Sequence, residues 1–386
     1  MRALHVIPAV AERYGGPSHA IVGMGRALCQ AGVEVLIATT DADGSADRLS
    51  VPVGETLSWH DVPTVMFRRQ WSEAFKYSAP LSRWLHDNVG NYDVVHIHAV
   101  FSHACLAAAS ASRRRDVPYI VRPLGTLDPW SLHQKANRKR ALWQFGGKRM
   151  LKGAAAVHYT TLAEQTLAET GLGLQRGVVI PLGVDDTLFE DASGEALQLC
   201  DGAPYVLVLG RLHPKKGLER FIDAFLEATE DSSLGRWRLA IAGDGEPAYV
   251  AGLRQWVQRH DTAAKVQFVG WLTGERKAAA LREAQLLALP SHQENFGIVV
   301  AEALACGTPV LISEFVNLAD EIRRVGAGWI VPLEHSAVVD ALRQALRNDD
   351  ARGVRGRAGR ELARARFTWN SVGAQLAGLY SDLTRS

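Results

Sequence analysis

The sequence has few cysteines and no long apolar run, and its charges nearly balance. The four cysteines lie far apart without CxxC spacing, and no charged segment leads into an apolar signal sequence. These absences predict a reducing, cytoplasmic location. Every apolar run stays well short of the roughly 20 residues that a membrane helix needs, so we expect no transmembrane span.

Charge and length narrow the class of protein further. Lysine and arginine total 43 and aspartate and glutamate 41, so the net charge of +2 gives no overall field that would favour nucleic acid. The content of 47% hydrophobic and 22% charged residues is typical of a globular protein. A chain of 386 residues exceeds one ordinary core, which indicates two domains.

Short runs rich in Val, Ile and Leu alternate with longer segments of helical period, in two successive series. Continuous apolar runs predict buried strands of a parallel sheet covered by helices on both faces. We therefore predict an α/β protein with two doubly wound, Rossmann-like domains. The first series comprises residues 3–8, 33–40, 93–100, 118–124, 155–161 and 177–183, and the second comprises 205–212, 237–243, 265–272, 285–291, 308–313 and 328–333.

The loop after the first strand is glycine-rich. Ligands of doubly wound sheets bind beyond the carboxyl ends of the strands, and here Gly15, Gly16 and Pro17 precede a predicted helix. Glycine lets the backbone approach a ligand closely, and the free amides of a helix start favour an anion. The pattern is not the GxGxxG fingerprint of a dehydrogenase, and an ordinary turn also fits it.

The first strand of the second series leads into the basic segment GRLHPKKGLERF, residues 210–221. Arg211 follows the strand, Lys216 comes next in the loop, and Gly217 opens a helix. A planar guanidinium and a mobile ammonium beside a helix start suit a diphosphate. The alternative is a solvated basic loop.

The segment SHQENFGIVVAE, residues 291–302, carries two glutamates. Glu294 lies in a predicted loop beyond a strand, whereas Glu302 lies on the following helix. The two carboxylates are therefore predicted to reach different parts of one ligand. The helix start between them would face its phosphates through the amides near Phe296, Gly297 and Ile298.

Together these motifs resemble glycosyltransferase family 4, retaining enzymes with the two-domain fold called GT-B. The resemblance is carried by YGGP (14–17), PLGVD (181–185), GRLHPKKG (210–217) and ENFGIVVAEALACGTPV (294–310). The final segment, FTWNSVGAQLAGLY (367–380), looks like the family's helix that crosses back to the first domain.

The resemblance implies a division of the chain and a donor. The N-terminal, acceptor-side domain would span 1–190, the nucleotide-sugar domain facing it across a cleft would span 191–365, and the returning helix 366–386. The donor would be a UDP- or GDP-sugar, with no cofactor and no metal ion. The acceptor would be a saccharide or a lipid-linked molecule, in cell-surface polysaccharide or glycolipid synthesis.

The family also implies a role for each matching residue. Glu294 would hold hydroxyls of the donor sugar near the reacting carbon and is the implied catalytic residue, while Glu302 would accept from the ribose hydroxyls. Arg211 and Lys216 would hold the diphosphate and stabilise the charge that grows on it, and Gly16 would meet the same diphosphate from the opposite domain. The implied reaction is a front-face displacement with retention, and no enzyme nucleophile takes part.

One position departs from the family. Many relatives carry His or Arg after the fourth strand, in a P-[HR]-G-x-L-x-P-W setting, and this sequence has Leu124 there. His103, Arg122 or Asp128 could supply a sugar or acceptor contact instead, and each also fits a structural role. The alternatives to a glycosyltransferase are a nonhydrolysing sugar-nucleotide epimerase of the same fold and an inactive scaffold.

Two further patterns could suggest a metal site. Asp41 and Asp43 form a DxD, but DADG after a strand is typical of a turn. His96 and His98 alternate along a predicted strand and so share a face, yet no third ligand is evident from the sequence. We therefore predict no metal.

A basic segment without acidic residues spans 134–152. Its lysines and arginines are interleaved with apolar residues, as in a helix that rests on an anionic membrane or holds an anionic acceptor. Peripheral contact with the inner face of the cell membrane is one prediction from this pattern. A solvated helix face whose apolar side lies in the core is the other.

Overall fold

The computed structural model describes residues 1–45, 47–127, 140, 142–190, 197–259 and 264–385. The chain divides into two compact units, which we call unit 1 and unit 2. Unit 1 contains Met1–Gly183 with Trp369–Ser386, and unit 2 contains Val184–Thr368. Each unit is built on its own largely parallel sheet with helices, so the predicted fold class of two doubly wound α/β domains is confirmed.

Unit 1 contains an eight-stranded sheet in the order β10-β9-β8-β7-β1-β2-β6-β5. Its pairs are parallel except β5 with β6, and β3 pairs with β4 in a separate antiparallel ladder. The strands are β1 (Arg2–Val6), β2 (Glu34–Thr40), β3 (Ala42–Asp43), β4 (Asp47–Arg48), β5 (Thr56–Trp59), β6 (Val62–Phe67), β7 (Val94–His98), β8 (Tyr119–Arg122), β9 (Ala156–Tyr159) and β10 (Gly177–Val179).

Each apolar run of the first series forms a strand of this sheet, because continuous Val, Ile and Leu side chains can be buried on both faces. The sequence prediction missed β5 and β6. Pro63 interrupts the apolar pattern of β6, and a proline within a run argues against a central strand. β6 nevertheless lies between β2 and β5.

The helices of unit 1 that come before unit 2 in the sequence lie in the connections between its strands. They are α1 (Gly16–Gln30), α2 (Ala79–Asn88), α3 (His103–Arg114), α4 (Lys148–Lys152) and α5 (Leu162–Leu172), and a short π-helical segment, Trp143–Gly147, precedes α4. Ser78, Ser102 and Thr161 cap α2, α3 and α5, because each side chain accepts a backbone N–H of the first turn.

Unit 2 contains a six-stranded, entirely parallel sheet in the order β13-β12-β11-β14-β15-β16. The strands are β11 (Tyr205–Leu209), β12 (Arg238–Ala242), β13 (Val266–Gly270), β14 (Leu286–Leu289), β15 (Val310–Ser313) and β16 (Gly328–Val331). The helices are α6 (Leu218–Ala228), α7 (Pro247–Arg259), α8 (Gly274–Glu283), α9 (Ile298–Ala305), α10 (Ala319–Val325), α11 (His335–Arg347) and α12 (Asp349–Arg366).

The C-terminal helix α13 (Trp369–Arg385) belongs to unit 1, where it packs on α1. Val372, Leu376 and Tyr380 are fully buried there. The two helices approach closely at glycine, because a Cβ on Gly373 would lie 2.7 Å from the carbonyl oxygen of Ala27. Among the helices in the described part of the chain, none combines the length and apolar content needed to cross a membrane.

Candidate functional site

The strand order of unit 2 places a topological switch point at the carboxyl ends of β11 and β14, where sheets of this kind form their ligand crevice. These strands are neighbours in the sheet although β12 and β13 come between them in the sequence. The chain connections leave these two strands in opposite directions, and ligands of doubly wound sheets bind at such a point. The two loops touch here, since the His292 N–H donates to the Lys215 carbonyl at 2.9 Å.

The loop after β11 presents the basic residues in a fixed conformation. Pro214–Lys216 form one 3-10 turn, and the His213 side chain accepts from the Lys215 N–H. Gly217 ends the turn with a φ of 64°, and a Cβ there would lie 2.9 Å from the Pro290 carbonyl oxygen. Glycine is therefore required at this position both for its backbone conformation and for close packing of the two loops.

The positive charge of this loop affects its histidine. The pKa of His213 is lowered, first by partial burial and then by Arg211, Lys215 and Lys216. Arg211 is at an exposed position, separated from the end of β11 by Gly210. An anion that enters the crevice therefore meets several positive charges within one short loop.

Glu294 is held by its backbone on the other side of the crevice. Its N–H donates to the Phe315 carbonyl and its own carbonyl accepts from the Asn317 N–H, both at 3.0 Å. The side chain accepts from Lys216, with 2.5 Å between Nζ and Oε2, and both side chains are 20% exposed. The structure thus brings together the predicted catalytic glutamate and one of the predicted diphosphate cations.

Helix α9 begins shortly after Glu294. Gly297 occupies its N-cap with a φ of 72°, and because glycine has no side chain, the first amides of the helix have no side-chain cap. Phe296 is 3% exposed and packs edge-on against Phe367 at 5.7 Å, so its side chain belongs to the core. Only its backbone can face a ligand.

Glu302 forms a second pair of the same kind. Lys277 on α8 donates to Oε1 of Glu302 at 2.6 Å. The other carboxylate oxygen, Oε2, is buried and has no hydrogen-bond partner among the described residues. A buried carboxylate oxygen needs a donor, so this atom is suited to accept from a hydroxyl group of a ligand.

Gly243 and Gly245, in the loop after β12, allow close contact with the backbone of the loop after β11. A Cβ on Gly243 would lie 1.9 Å from the Gly210 carbonyl oxygen, and one on Gly245 would lie 2.0 Å from that of Leu212. The Leu212 N–H donates to the Asp244 carbonyl at 2.8 Å. These contacts hold the loops after β11 and β12 together.

In unit 1, the predicted glycine loop leads into α1. Gly15 has a φ of 72°, whereas Gly16 is the first residue of the helix and lies at an exposed position. A Cβ on Gly16 would meet no atom within 4 Å. The folded unit itself therefore does not require glycine at position 16.

Two of the three residues suggested as sugar or acceptor contacts, His103 and Arg122, lie in the described part of unit 1. His103 accepts from the Ser78 N–H at 3.2 Å, and its other ring nitrogen lies 3.1 Å from Ser82 Oγ. Arg122 is 3% exposed, and burial lowers the pKa of its guanidinium to about 10. Asp128 lies outside the described residues.

Leu124, the departure from the family pattern, is backbone-strained. It has a φ of 59°, a left-handed conformation that is costly for a side chain of this kind. The following Gly125 N–H donates to Oε1 of the buried Glu164 at 2.9 Å, which anchors this turn.

The DxD residues have other partners. Asp41 is buried and accepts from the Arg69 backbone N–H at 2.7 Å. Asp43 pairs with Arg13 at 2.7 Å. Asp41 therefore joins the loops that follow β2 and β6, and Asp43 joins β3 to the loop that follows β1.

The sequence did not reveal a third histidine beside His96 and His98. His5 on β1 lies in register with His96, and the ligand atoms of the three rings lie within 4.8 Å of one another. The sequence carried one signal, which was a histidine, His5, within the apolar run of residues 3–8. The sequence could not show that β1 and β7 are adjacent.

These rings belong to a buried hydrogen-bond chain. The Ile180 carbonyl can only accept, so His158 must donate to it from Nε2. In a neutral ring the other nitrogen must then accept, and this fixes the donor at each following contact. Burial lowers the pKa of His5 and His158 to about 3, which keeps these rings neutral. The donors in order are His158 Nε2 to Ile180 O (2.8 Å), His96 Nε2 to His158 Nδ1 (3.2 Å), Tyr380 OH to His96 Nδ1 (2.7 Å), His5 Nε2 to Tyr380 OH (3.1 Å) and His98 Nε2 to His5 Nδ1 (3.1 Å).

The basic segment is described only in part. Lys135, Arg138 and Lys139 lie outside the described residues. Met150 and Leu151 of α4 are buried, so the apolar residues at that end of the segment face the core of unit 1. This arrangement gives no support to a membrane contact.

Comparison with known proteins identifies the family of the chain. The profile of the Glycosyl transferases group 1 family matches residues 191–362, and that of the Glycosyl transferase 4-like domain matches residues 15–183. The chain is similar to the phosphatidyl-myo-inositol mannosyltransferase of Mycobacterium leprae, with 31% identity over 79% of this chain and 76% of the relative. It is 28% identical to the D-inositol 3-phosphate glycosyltransferase of Xylanimonas cellulosilytica, over 96% of this chain and 92% of the relative.

Solved structures share the fold. Sucrose-phosphate synthase from Thermosynechococcus elongatus has a TM-score of 0.81 at 22% identity, covering 99% of this chain and 98% of that chain. Anabaena HepE in complex with UDP and glucose has a TM-score of 0.78 at 21% identity, covering 99% of this chain and 100% of that chain. The protein is thus a glycosyltransferase. It belongs to glycosyltransferase family 4, the group 1 glycosyltransferases, as its motifs predicted.

Proposed function

We propose that this glycosyltransferase transfers a sugar from a UDP- or GDP-sugar to a saccharide or lipid-linked acceptor, with retention of configuration and without a metal ion. The observation that carries the proposal is the contact between Lys216 and Glu294. It joins a cation suited to the leaving diphosphate to a carboxylate suited to the sugar. The relatives named for inositol and mannosyl transfer support an acceptor that carries hydroxyl groups.

The donor would lie along the crevice of unit 2. An ammonium group has three N–H donors, so Lys216 can keep its bond to Glu294 and still donate to phosphate oxygens. Arg211 and the first amides of α9 would supply further donors to the diphosphate. Glu302, held by Lys277 through one oxygen, would accept from the ribose hydroxyls with the other.

The chemistry then needs no protein nucleophile. The bond between the anomeric carbon and the diphosphate oxygen breaks, and a bond from the acceptor hydroxyl oxygen to the same carbon forms on the same face. The acceptor proton passes to the departing diphosphate. Lys216 and Arg211 stabilise the charge that grows on the diphosphate, which is the task a metal ion performs in other transferases.

Glu294 would act by position and charge. Its carboxylate would bind sugar hydroxyls and stabilise positive charge at the anomeric carbon as the bond to the diphosphate breaks. The backbone bonds to Phe315 and Asn317 hold it in place before substrate arrives. Such preorganisation avoids reorganisation during the reaction.

The test is a thermal-shift panel of UDP- and GDP-sugars followed by product analysis. A ligand at 100 times its dissociation constant adds about 2.7 kcal/mol to the unfolding free energy, so the cognate donor should raise the melting temperature clearly. NMR of the product formed in the presence of EDTA would show the donor's anomeric configuration preserved. Inverted product, or turnover abolished by EDTA and restored by a divalent cation, contradicts the mechanism.

A further inference from the structure

The loop between β6 and α2 in unit 1 exposes a tryptophan. Trp71 is 61% exposed. It pairs with Tyr77 in an isolated antiparallel bridge, and the two rings pack in a tilted arrangement, with centroids 5.3 Å apart and 30° between their planes. We call residues 69–78 the aromatic hairpin. Because Tyr77 packs against one side of the indole, the other side is accessible to a ligand.

Backbone hydrogen bonds close the aromatic hairpin, and two of its residues have strained backbones. The Gln70 N–H donates to the Tyr77 carbonyl at 2.9 Å, and the Lys76 N–H donates to the Ser72 carbonyl at 2.6 Å. Ser72 and Lys76 have φ values of 54° and 51°, which are unfavourable for residues other than glycine. Strain of this kind persists where the surrounding structure enforces it, and it concentrates at ligand sites.

Further aromatic rings pack behind Tyr77. The Tyr77 ring packs on His103, with ring centroids 4.4 Å apart, and Phe75 meets the same imidazole edge-on at 5.8 Å. Since His103 accepts from the Ser78 N–H at Nδ1, its proton lies on Nε2 and is donated to Ser82 Oγ. Both ring nitrogens are thereby used to fix the imidazole under Tyr77. His103 is a positioning residue for the hairpin.

The aromatic hairpin is also tied to the glycine loop that precedes α1. Glu73 accepts from the Tyr14 hydroxyl at 2.6 Å, and that hydroxyl in turn accepts from the Gly44 N–H at 2.8 Å. The Lys76 ammonium binds Glu73 at 2.7 Å and lies 4.2 Å above the Tyr14 ring. Tyr14 directly precedes Gly15, so Trp71 is held near the loop assigned to the donor diphosphate.

We propose that Trp71 and Tyr77 form a platform that binds a pyranose ring of the acceptor saccharide. This inference rests on the proposed function and names the acceptor side of the same reaction. One face of a pyranose carries polarised C–H bonds, which are attracted to the negative face of an indole. The exposed neighbours Arg68 and Gln70 are polar, so they suit the ring's hydroxyl groups.

The surroundings favour a saccharide over a protein partner. A protein interface needs a contiguous patch of several hundred square ångströms with an apolar centre. Trp71 stands among polar positions, with Arg68, Gln70 and the ion-paired Glu73 nearby. A single aromatic platform bordered by hydrogen-bonding groups matches the alternating apolar and polar character of a sugar ring.

Saturation-transfer NMR tests the platform on the full chain. The probes are methyl glycosides of glucose, galactose, mannose and N-acetylglucosamine, which carry no aromatic group of their own. We expect at least one to receive saturation from the intact chain, and we expect Trp71→Ala to reduce that signal at least fivefold. Trp71→Phe, which keeps an aromatic face, should retain part of it. Leu167→Ala, which removes another exposed apolar side chain of unit 1, should leave it unchanged.

Binding of UDP and GDP is measured on the same samples by calorimetry. Unchanged nucleotide affinity in Trp71→Ala, together with lost sugar signal, supports the platform. If no methyl glycoside binds the intact chain, or if Trp71→Ala binds it equally, the platform is wrong while the donor assignment stands. If neither nucleotide binds the intact chain, the proposed donor function fails, and the sugar signals still show whether Trp71 binds a saccharide.

Discussion

The ammonium of Lys216 lies 2.5 Å from the Glu294 carboxylate and joins the loop after β11 to the loop after β14. The two residues are 78 positions apart, and each is assigned to a different part of the donor. Under the proposed function, this contact would position the cation for the leaving group and the carboxylate for the sugar together. A substitution at Glu294 removes one partner of Lys216 and leaves the charge of the ammonium in place.

Replacing Glu294 should separate binding from turnover. In Glu294→Gln the carboxylate charge near the anomeric carbon is lost, so kcat should fall by about 10²-fold or more. Lys216 keeps its own charge, so calorimetry with UDP or GDP should show an affinity within about threefold of the original. Glu230→Gln, at an exposed position after α6, serves as the matched control. Full turnover in Glu294→Gln would remove this residue from the mechanism.

Replacing Glu302 should abolish recognition of the ribose hydroxyls. The affinities of the intact chain for UDP and for 2′,3′-dideoxy-UDP should differ by about 1.5 to 3 kcal/mol, the cost of losing a hydrogen bond to a charged group. In Glu302→Ala the two ligands should bind almost equally, and calorimetry measures all four affinities. Lys277→Met should give an intermediate difference, since Lys277 orients the carboxylate. An undiminished preference for UDP in Glu302→Ala contradicts the ribose assignment.

Gly16→Ala isolates the contribution of the glycine loop. A Cβ at position 16 meets no atom within 4 Å, so the unfolding free energy should change by less than about 0.5 kcal/mol. If a diphosphate approaches this backbone, the added methyl group should raise KM for the donor by about tenfold. Gly15→Ala is a contrasting variant, because its φ of 72° predicts lower stability. An unaltered KM in Gly16→Ala would place the diphosphate elsewhere.

The histidine chain predicts acid sensitivity. Burial lowers the pKa of His5 and His158 to about 3, and an unfolded histidine titrates near 6.5. The unfolded state therefore binds protons first as pH falls below 6.5, so stability is full above that pH and is lost toward pH 3. Each histidine contributes a slope of up to about 1.4 kcal/mol per pH unit.

Chemical denaturation between pH 7 and pH 5 measures this slope, since few carboxyl groups titrate in that range. His19→Asn, at an exposed position, should leave the slope unchanged, whereas His158→Asn should lower it. A free energy of unfolding that stays constant from pH 7 to pH 5 would contradict neutral, buried rings.

Tyr380→Phe should lower stability at every pH, because His96 and His5 each lose a partner.

The local sequence predicted most of the fold and the candidates for the site. Apolar runs marked twelve strands, since side chains buried on both faces of a parallel sheet must be apolar throughout. The Gly217 and Gly297 positions indicated turns before helices, and both have left-handed backbones. β5 and β6 were not predicted, because Pro63 interrupts the apolar pattern of β6. That segment is recognised as a strand from its pairing with β2 and β5.

The amino-acid order alone thus specified the alternation of strands and helices, the residue types at each strand end and the family. Which of these ends meet depended on tertiary structure, because neighbouring strands in a sheet need not be neighbours in the sequence. The adjacency of β11 and β14 brings Lys216 to Glu294, and that of β1 and β7 brings His5 to His96 and His98. The packing of Glu302 against Lys277, with its second oxygen buried, likewise arises from the approach of two helices.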